Sequence, residues 1–260
     1  MVLSSTTIGE AGPWVVFCHG LFGQGKNWTT VAKALAVDHR CLLLDMPQHG
    51  RSPWSEEFDY LAVADAVADA LPHEPVALVG HSMGGKIAML VALRHPELVE
   101  RLMVVDVAPV ARDARSGFEP YVAAMRGVDL AHLARRHDAS QAMRAGVPDD
   151  GVRGFLLQNL RHDPTAPEGE QWRWQMNLDV LGDSLDAIGG WPEVAGSYDG
   201  PVLWVAGERS DYIRDADLPA MKALFPRVRK VSIKGAGHWV HSEQPEVFVA
   251  VLRRFVTRSP

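Results

Sequence analysis

The sequence predicts an α/β protein with a mostly parallel central sheet that carries helices on both faces. Short apolar runs rich in Val, Leu and Ile alternate with segments of helical spacing, which is typical of strands buried on both faces. The chain has 260 residues, of which 47% are hydrophobic and 22% charged. That length and composition suit one large domain with an ordinary apolar core.

The predicted strands are the apolar runs that end in polar or glycine-rich segments. They cover residues 14–18, 41–45, 75–79, 101–106, 201–206 and 228–233, with a further N-terminal strand near 2–8. A helix over 61–71 places its apolar side chains on one stripe and Asp65 and Asp69 on the other. A last helix is predicted from Pro245, because proline is well tolerated in a first turn.

The alternation of strands and helices stops between residues 109 and 200. Met, Trp, Leu and charged residues recur there with helical spacing, and a structureless loop of that length inside a compact domain is improbable. We therefore expect a mostly helical cap at 109–200, inserted into a core formed by 1–108 and 201–260.

Composition excludes several classes of partner. Lys and Arg number 26 against 32 Asp and Glu, a net charge of −6, so the basic excess of a nucleic-acid binder is missing. The apolar runs are shorter than the roughly 18 residues needed to cross a bilayer. We expect no nucleic-acid partner and no membrane span, and the sequence leaves the oligomeric state open.

The start of the chain and its two cysteines bear on the compartment. Residues 1–13 show neither the basic nor the apolar region of a secretion signal, so a cytoplasmic protein is expected. Cys18 and Cys41 both lie in apolar strands, where a free thiol behaves as a small buried hydrophobe.

The most informative motif is the G-x-S-x-G of residues 80–84, which follows an apolar strand and precedes a helix. A sharp strand-to-helix turn with glycines two residues either side exposes the Ser82 hydroxyl at the carboxyl edge of the sheet. The helix that follows directs its free N–H groups to the same place. Ser82 is therefore the candidate nucleophile.

A serine nucleophile needs a general base, and eleven histidines compete for that role. His81 is adjacent to the serine on a tight turn, so the two side chains are expected to point apart. His238 follows the last strand in the glycine-rich segment 235–239 and also opens at the carboxyl edge. We predict His238 as the base, with His241 in a rim or structural position.

The third member of such a site is a carboxylate that orients the histidine. Asp106 closes an apolar strand and is favoured, whereas Asp211, after the strand at 201–206, is the alternative. Ser210 stands three residues after Gly207, which follows that strand, and Asp211 stands one residue further on. Asp179, inside the expected cap, ranks third.

Stabilising an oxyanion requires two N–H donors. One is the amide of Met83, directly after the serine, and the other comes from the glycine-containing loop 19–23, HGLFG. The glycines allow the amide of Leu21, or that of Phe22, to turn inward.

Together, HGLFG, the serine motif GHSMGG and the segment GAGHWVH make the chain resemble the α/β-hydrolase superfamily over nearly its whole length. VDVAP at 105–109 and QWRW at 171–174 make it similar to the small YbfF-type serine esterases and their mitochondrial abhydrolase relatives. That resemblance implies an acid after the strand that follows the nucleophile helix, at Asp106. The chain departs at 47–50, PQHG, where the family commonly has Arg-Gly-His-Gly or Arg-Asn-His-Gly.

The expected function is hydrolysis of small to medium uncharged carboxylic esters through an acyl-serine intermediate. The same residues could instead serve a thioesterase, a carbon–carbon bond hydrolase or a perhydrolase. A binding protein that has lost turnover belongs to a different class. No metal or organic cofactor is expected, since histidine pairs such as His19 and His49 lack a supporting carboxylate cluster. Large apolar cap residues could line the substrate pocket or form the core of the cap: Phe118, Tyr121, Met125, Phe155, Leu156, Trp172, Trp174 and Met176.

Overall fold

A computed structural model describes residues 1–257 and contains a seven-stranded main sheet. Its strands are β1 (Ser5–Ile8), β2 (Trp14–Cys18), β3 (Arg40–Leu44), β4 (Val76–His81), β5 (Val99–Val105), β8 (Val202–Gly207) and β9 (Val228–Ile233). The order is β1-β3-β2-β4-β5-β8-β9, with only β1 antiparallel to its neighbour among these strands. The predicted mostly parallel sheet is confirmed.

Eleven α-helices occur within residues 1–257. They are α1 (Thr29–Leu35), α2 (Tyr60–Ala70), α3 (Met83–Arg94), α4 (Arg115–Arg126), α5 (Arg136–Met143), α6 (Asp150–Leu157), α7 (Leu178–Asp183), α8 (Leu185–Gly189), α9 (Leu218–Leu224), α10 (Val240–Glu243) and α11 (Pro245–Val256). None of these is both long and apolar enough to cross a bilayer.

The two faces of the sheet build two separate apolar cores. Val15 and Phe17 of β2 point to the face covered by α1 and α11, whereas Val16 and Cys18 point to the face covered by α2 and α3. This alternation follows from the period of two along a strand. Strand β4 lies in the middle of the sheet and is buried at every residue. The carboxyl ends of the parallel strands therefore meet at one edge, next to the start of α3.

The segment between β5 and β8 holds helices α4 to α8 and a two-stranded hairpin. The hairpin pairs β6 (Leu160–His162) with β7 (Trp172–Trp174), and Leu160 lies opposite Trp174. A mostly helical cap was predicted here; five of its elements are helices, and the hairpin is an addition that the sequence did not indicate. The boundaries 1–108, 109–200 and 201–260 stay predictions, and residues 258–260 lie outside the described chain.

Both cysteines are buried inside the sheet without a disulfide. Burial raises the pKa of the Cys18 and Cys41 thiols to about 12. A thiol that stays protonated is a poor nucleophile, so both cysteines act as apolar packing residues.

Candidate active site

Ser82 occupies a strained turn between β4 and α3. Its backbone has φ 54° and ψ −122°, a region that costs free energy for any residue with a side chain. The turn closes only because its flanks are glycines. A Cβ on Gly80 would lie 2.2 Å from the Gly84 carbonyl oxygen, and one on Gly84 would lie 2.4 Å from that of Cys18. The G-x-S-x-G spacing is thus a steric requirement of this turn.

His238 lies in the loop between β9 and α10, and its imidazole is held by a carboxylate. Its Nδ1 is 2.8 Å from Oδ2 of Asp106, and the His238 side chain is only 13% exposed. Because Nδ1 donates to the carboxylate, Nε2 is the ring nitrogen left to exchange a proton. Ser82 and His238 line the same cavity. The structure therefore brings together two residues that most of the chain separates.

Asp106 follows directly after β5 and is completely buried, with φ 52°. The predicted strand included this residue, but the structure ends the strand at Val105. Oδ1 accepts the Gly207 amide at 3.0 Å, and the Ser210 hydroxyl donates to Oδ2. A carboxylate without access to water needs such donors as hydrogen-bond partners for its oxygens. Ser210, directly before Asp211, thus hydrogen-bonds the candidate acid.

The structure does not bring the alternative acid to the histidine. The Asp211 side chain is 85% exposed and pairs with Arg214. Asp179 is 87% exposed in the cap and pairs with Arg126. Of the three aspartates, Asp106 is the one that contacts His238, so it stays the candidate acid.

His81 contributes to the site in a way that the sequence did not indicate. Its Nε2 donates to the backbone carbonyl of His238 at 2.9 Å. Burial and the neighbouring His238 hold the pKa of His81 well below its ordinary value, so its ring is neutral. Tyr212 stacks on the His238 ring with centroids 3.8 Å apart. His81, the residue directly before Ser82 in the motif, thus anchors the main chain of the loop between β9 and α10.

The loop after β2 lies directly against the serine turn, since a Cβ on Gly20 would be 3.2 Å from the Ser82 Cβ. The sequence left the amides of Leu21 and Phe22 open as oxyanion donors. Phe22 donates its amide to His49 Nε2 at 3.1 Å, which leaves the amide of Leu21. Met83 is the first residue of α3, where an N–H has no partner within the helix.

His19 and His49 support this loop. Nδ1 of His19 donates to the Gly20 carbonyl at 2.8 Å, while its Nε2 accepts the Met46 amide at 2.9 Å. His49 is held by the Pro47 carbonyl and the Phe22 amide. Burial lowers the pKa of His19 to about 4 and that of His49 to about 3. Both rings are neutral hydrogen-bonding groups, and within residues 1–257 no three potential ligands are grouped around a metal position.

Two cavities meet at Ser82. A narrow cavity of about 30 Å³ lies between the loop after β2, the histidine loop and the cap helices α4 and α6. A wider cleft of about 500 Å³ extends the other way, towards α8 and the loop after β8. Of the large apolar cap residues expected to line a pocket or fill the cap, four line the narrow cavity, namely Phe118, Tyr121, Phe155 and Leu156. The narrow cavity has little room beyond a short alkyl group.

Buried polar side chains attach the cap to the core around this site. Asn159 accepts a hydrogen bond from Gln24 at 2.6 Å and donates to the Phe22 carbonyl at 2.8 Å. Asn177 donates to the side chain of Gln48 at 3.0 Å. Gln48 belongs, with Pro47, to the positions at which the sequence departs from the family pattern, and here it connects the loop after β3 to the start of α7.

A buried lysine makes a third attachment. The ammonium of Lys86 on α3 donates to the carbonyls of Gly189 and Gly190, at 2.7 and 2.6 Å, at the end of α8. Burial, with Arg112 nearby, lowers the pKa of Lys86 to about 8. The cation compensates the carbonyls that a helix leaves free at its C-terminus. Sequence reasoning missed all three attachments.

A serine in a strained turn, a histidine held by a buried carboxylate and two amides beside the serine are the parts of a serine hydrolase. Residues 13–245 match the family described as alpha/beta hydrolase fold. The chain belongs to the α/β-hydrolase family, and it is a serine hydrolase of the ester-hydrolysing kind.

Proteins similar to this chain are named as esterases and lipases. The chain is 38% identical to the sn-1-specific diacylglycerol lipase ABHD11 of Mus musculus, over 94% of this chain and 81% of that protein. It is 33% identical to Esterase YbfF of Escherichia coli K12, over 93% of this chain and 92% of that protein. A solved structure, Marine microorganism esterase, has a TM-score of 0.92 at 32% identity and covers 98% of this chain and 99% of its own. The predicted resemblance to YbfF-type esterases and abhydrolase relatives is confirmed.

Proposed function

We propose that the protein hydrolyses small to medium, uncharged carboxylic esters through an acyl-serine intermediate. The observation that carries the proposal is the 2.8 Å contact from His238 Nδ1 to buried Asp106, in a histidine that shares a cavity with Ser82. This contact fixes the tautomer in which Nε2 can accept a proton.

The first half of the reaction forms the acyl-enzyme. The Ser82 Oγ attacks the ester carbonyl carbon while its proton passes to His238 Nε2. The carbonyl oxygen becomes an oxyanion that accepts hydrogen bonds from the amides of Leu21 and Met83. The carbon–oxygen bond to the alcohol then breaks, and His238 returns the proton to the leaving oxygen. Asp106 compensates the imidazolium in both steps.

The second half releases the acid. A water gives a proton to His238 Nε2 and attacks the acyl carbon, and the bond to Ser82 Oγ breaks as that oxygen recovers the proton. Each proton that leaves Ser82 or water returns to an oxygen, so this chain's own residues complete the cycle. An uncharged ester is favoured because aromatic side chains line the narrow cavity beside the serine.

The test is intact mass after treatment with a fluorophosphonate, combined with hydrolysis of an ester panel. We expect one covalent adduct on the wild type and none on Ser82→Ala. The exposed Ser232→Ala, on β9, is the matched control and should label like the wild type. A wild-type protein that takes no adduct and hydrolyses no ester would contradict the proposal and favour a binding protein. An adduct that persists in Ser82→Ala would contradict the assignment of the nucleophile.

A further inference from the structure

The two cavities that meet at Ser82 have three lining residues in common, namely Leu21, Ser82 and Phe118. Leu21 and Ser82 belong to the reacting centre. Phe118 is a half-buried side chain of the cap helix α4 and has no part in the proposed chemistry. Phe118 is therefore the shared side chain that can set the size of either cavity without changing the reacting groups.

Phe118 is held between the core and the cap. Its ring meets Phe22, in the loop after β2, edge to face at 6.1 Å between centroids. It also meets Tyr121 of its own helix edge to face, again at 6.1 Å. Edge-to-face contacts with two neighbouring rings favour one orientation of the Phe118 ring. The ring thus acts as a fixed partition.

The spaces on the two sides of this partition differ in size and in chemistry. The narrow cavity, about 30 Å³, is walled by aromatic side chains that include Tyr121 and Phe155, and it has room for about two waters or a short alkyl group. The wider cleft, about 500 Å³, carries Lys86, Arg112 and Asp211 along its walls. One side accepts a small apolar substituent, and the other accepts a larger, polar one.

We propose that Phe118 is the specificity-determining residue of the site. Building on the proposed ester hydrolysis, the partition makes the enzyme select esters with unequal sides. The substituent on one side of the carboxylic ester is short and apolar and fills the narrow cavity. The substituent on the other side extends into the cleft.

The test compares two series of esters on the wild type, Phe118→Ala and Phe118→Trp. One series lengthens the acyl chain of ethyl esters, and the other lengthens the alcohol of acetate esters. In the wild type, we expect kcat/KM to fall about tenfold for one series once its chain outgrows the narrow cavity, since a tight pocket discriminates by about that factor per excess methylene. The other series should stay flat. Which series falls identifies the half of the ester that occupies the narrow cavity.

The two variants should shift that dependence in opposite directions. Phe118→Ala opens the partition and should flatten the falling series, whereas Phe118→Trp should make it fall at a shorter chain. The proposal would be overturned if kcat/KM of the wild type depended equally on chain length in both series. It would also be overturned if the variants left the chain-length dependence of both series unchanged. Because Phe118→Ala could also loosen the cap, Phe118→Leu provides a milder opening that must shift the series in the same direction.

Trp172→Ala is the matched control, because this cap aromatic is half-buried but lines neither cavity. It should keep the chain-length dependence of the wild type. Fluorophosphonate labelling of each variant separates the two hypotheses. A wild type that neither labels nor hydrolyses esters contradicts the proposed function, whereas a labelled, active enzyme with unchanged chain-length dependence contradicts only the role of Phe118.

Discussion

The packing of the core and the position of the cap depend on different interactions. In the core, β4 is buried at every residue and apolar side chains pack on both faces of the sheet. The cap also shares apolar contacts with the core, but its position beside Ser82 is fixed by hydrogen bonds from Asn159, Asn177 and Lys86. Apolar packing is non-directional, whereas hydrogen bonds require a defined geometry. Strand ends therefore place Ser82, Asp106 and His238, whereas a few polar contacts place the cap residues that wall the cavities beside Ser82.

The largest loss of activity is expected for Asp106, because the core alone sets its contact with His238. Asp106→Asn should lower kcat by about 10⁴-fold, because the amide favours the wrong histidine tautomer and cannot compensate the imidazolium. The matched variant Asp211→Asn should change kcat by less than about threefold, since exposed ion pairs contribute little. Steady-state kinetics on one ester measures both. If Asp211→Asn were the slower enzyme, the assignment of the acid would be wrong.

Acid should destabilise the core through its buried histidines. His241 is stacked on Trp28 at 4.2 Å, and burial, together with His238, lowers its pKa to about 3. The unfolded chain therefore binds this proton first, and the stability that His241 contributes is lost as the pH falls below about 6.5. Between pH 6 and 4, the wild type should lose about 2.5 kcal/mol of unfolding free energy relative to His241→Phe.

Urea unfolding at several pH values measures this difference. The control is His73→Gln, at an exposed position, which should follow the wild type throughout. Parallel curves for the wild type and His241→Phe would show that the buried ring does not titrate with unfolding.

A smaller effect of the same sign, in a more alkaline range, is expected at the cap attachment of Lys86. Its folded-state pKa of about 8 lies below the ordinary value of 10.5, so the unfolded chain holds the proton longer as the pH rises. Between pH 8 and 9.5, the wild type should gain about 1.5 kcal/mol of stability relative to Lys86→Met. Lys33→Met changes an exposed lysine on α1 and should show no such gain. Chemical denaturation at several pH values across this range measures the unfolding free energies. A difference between the wild type and Lys86→Met that does not change with pH would contradict the prediction.

The smallest effect concerns the N-cap of α7. Asn177 accepts the Val180 amide at 3.3 Å and also donates to Gln48, so Asn177→Ala should cost about 1 kcal/mol of stability. Asp149→Ala removes the N-cap of α6, which accepts the Val152 amide at 2.8 Å, and should cost a similar amount. Only Asn177→Ala removes a contact between cap and core, and KM should rise for this variant alone. An equal rise of KM in both variants would show that general loosening of the cap is responsible.

The sequence predicted the parts that follow from local patterns. The strands Trp14–Cys18 and Val228–Ile233 have the predicted bounds. The first is a continuous apolar run with four buried residues, whereas the second lies at the edge of the sheet and mixes apolar residues with exposed Arg229, Lys230 and Ser232. The hairpin of β6 and β7 was missed, since each strand has only three residues and shows no alternation. Its partner strands are also separated by a long loop, so no turn motif marks the pairing.

In the site, too, the residues marked by local motifs were predicted and the contacts between distant residues were not. Ser82 and His238 were predicted from motifs that fix their own backbone, whereas the choice between Asp106 and Asp211 depended on which side chain turns inward. The contact of Gln24 with Asn159 spans 135 residues, and polar pairing over such distances leaves no periodic pattern. A sequence signal for Lys86 existed, since it directly follows the serine motif on a helix that is otherwise apolar towards the core.

The hydrogen bond from His81 to the His238 carbonyl links the two ends of the proton relay mechanically. His81 is joined covalently to Ser82 and by a hydrogen bond to the main chain of His238, 157 positions later. When the turn that carries Ser82 is displaced by thermal motion, the main chain of His238 therefore moves with it. The separation of the two reacting side chains should fluctuate less than the coordinates of either one, which keeps the relay aligned while substrates enter and products leave.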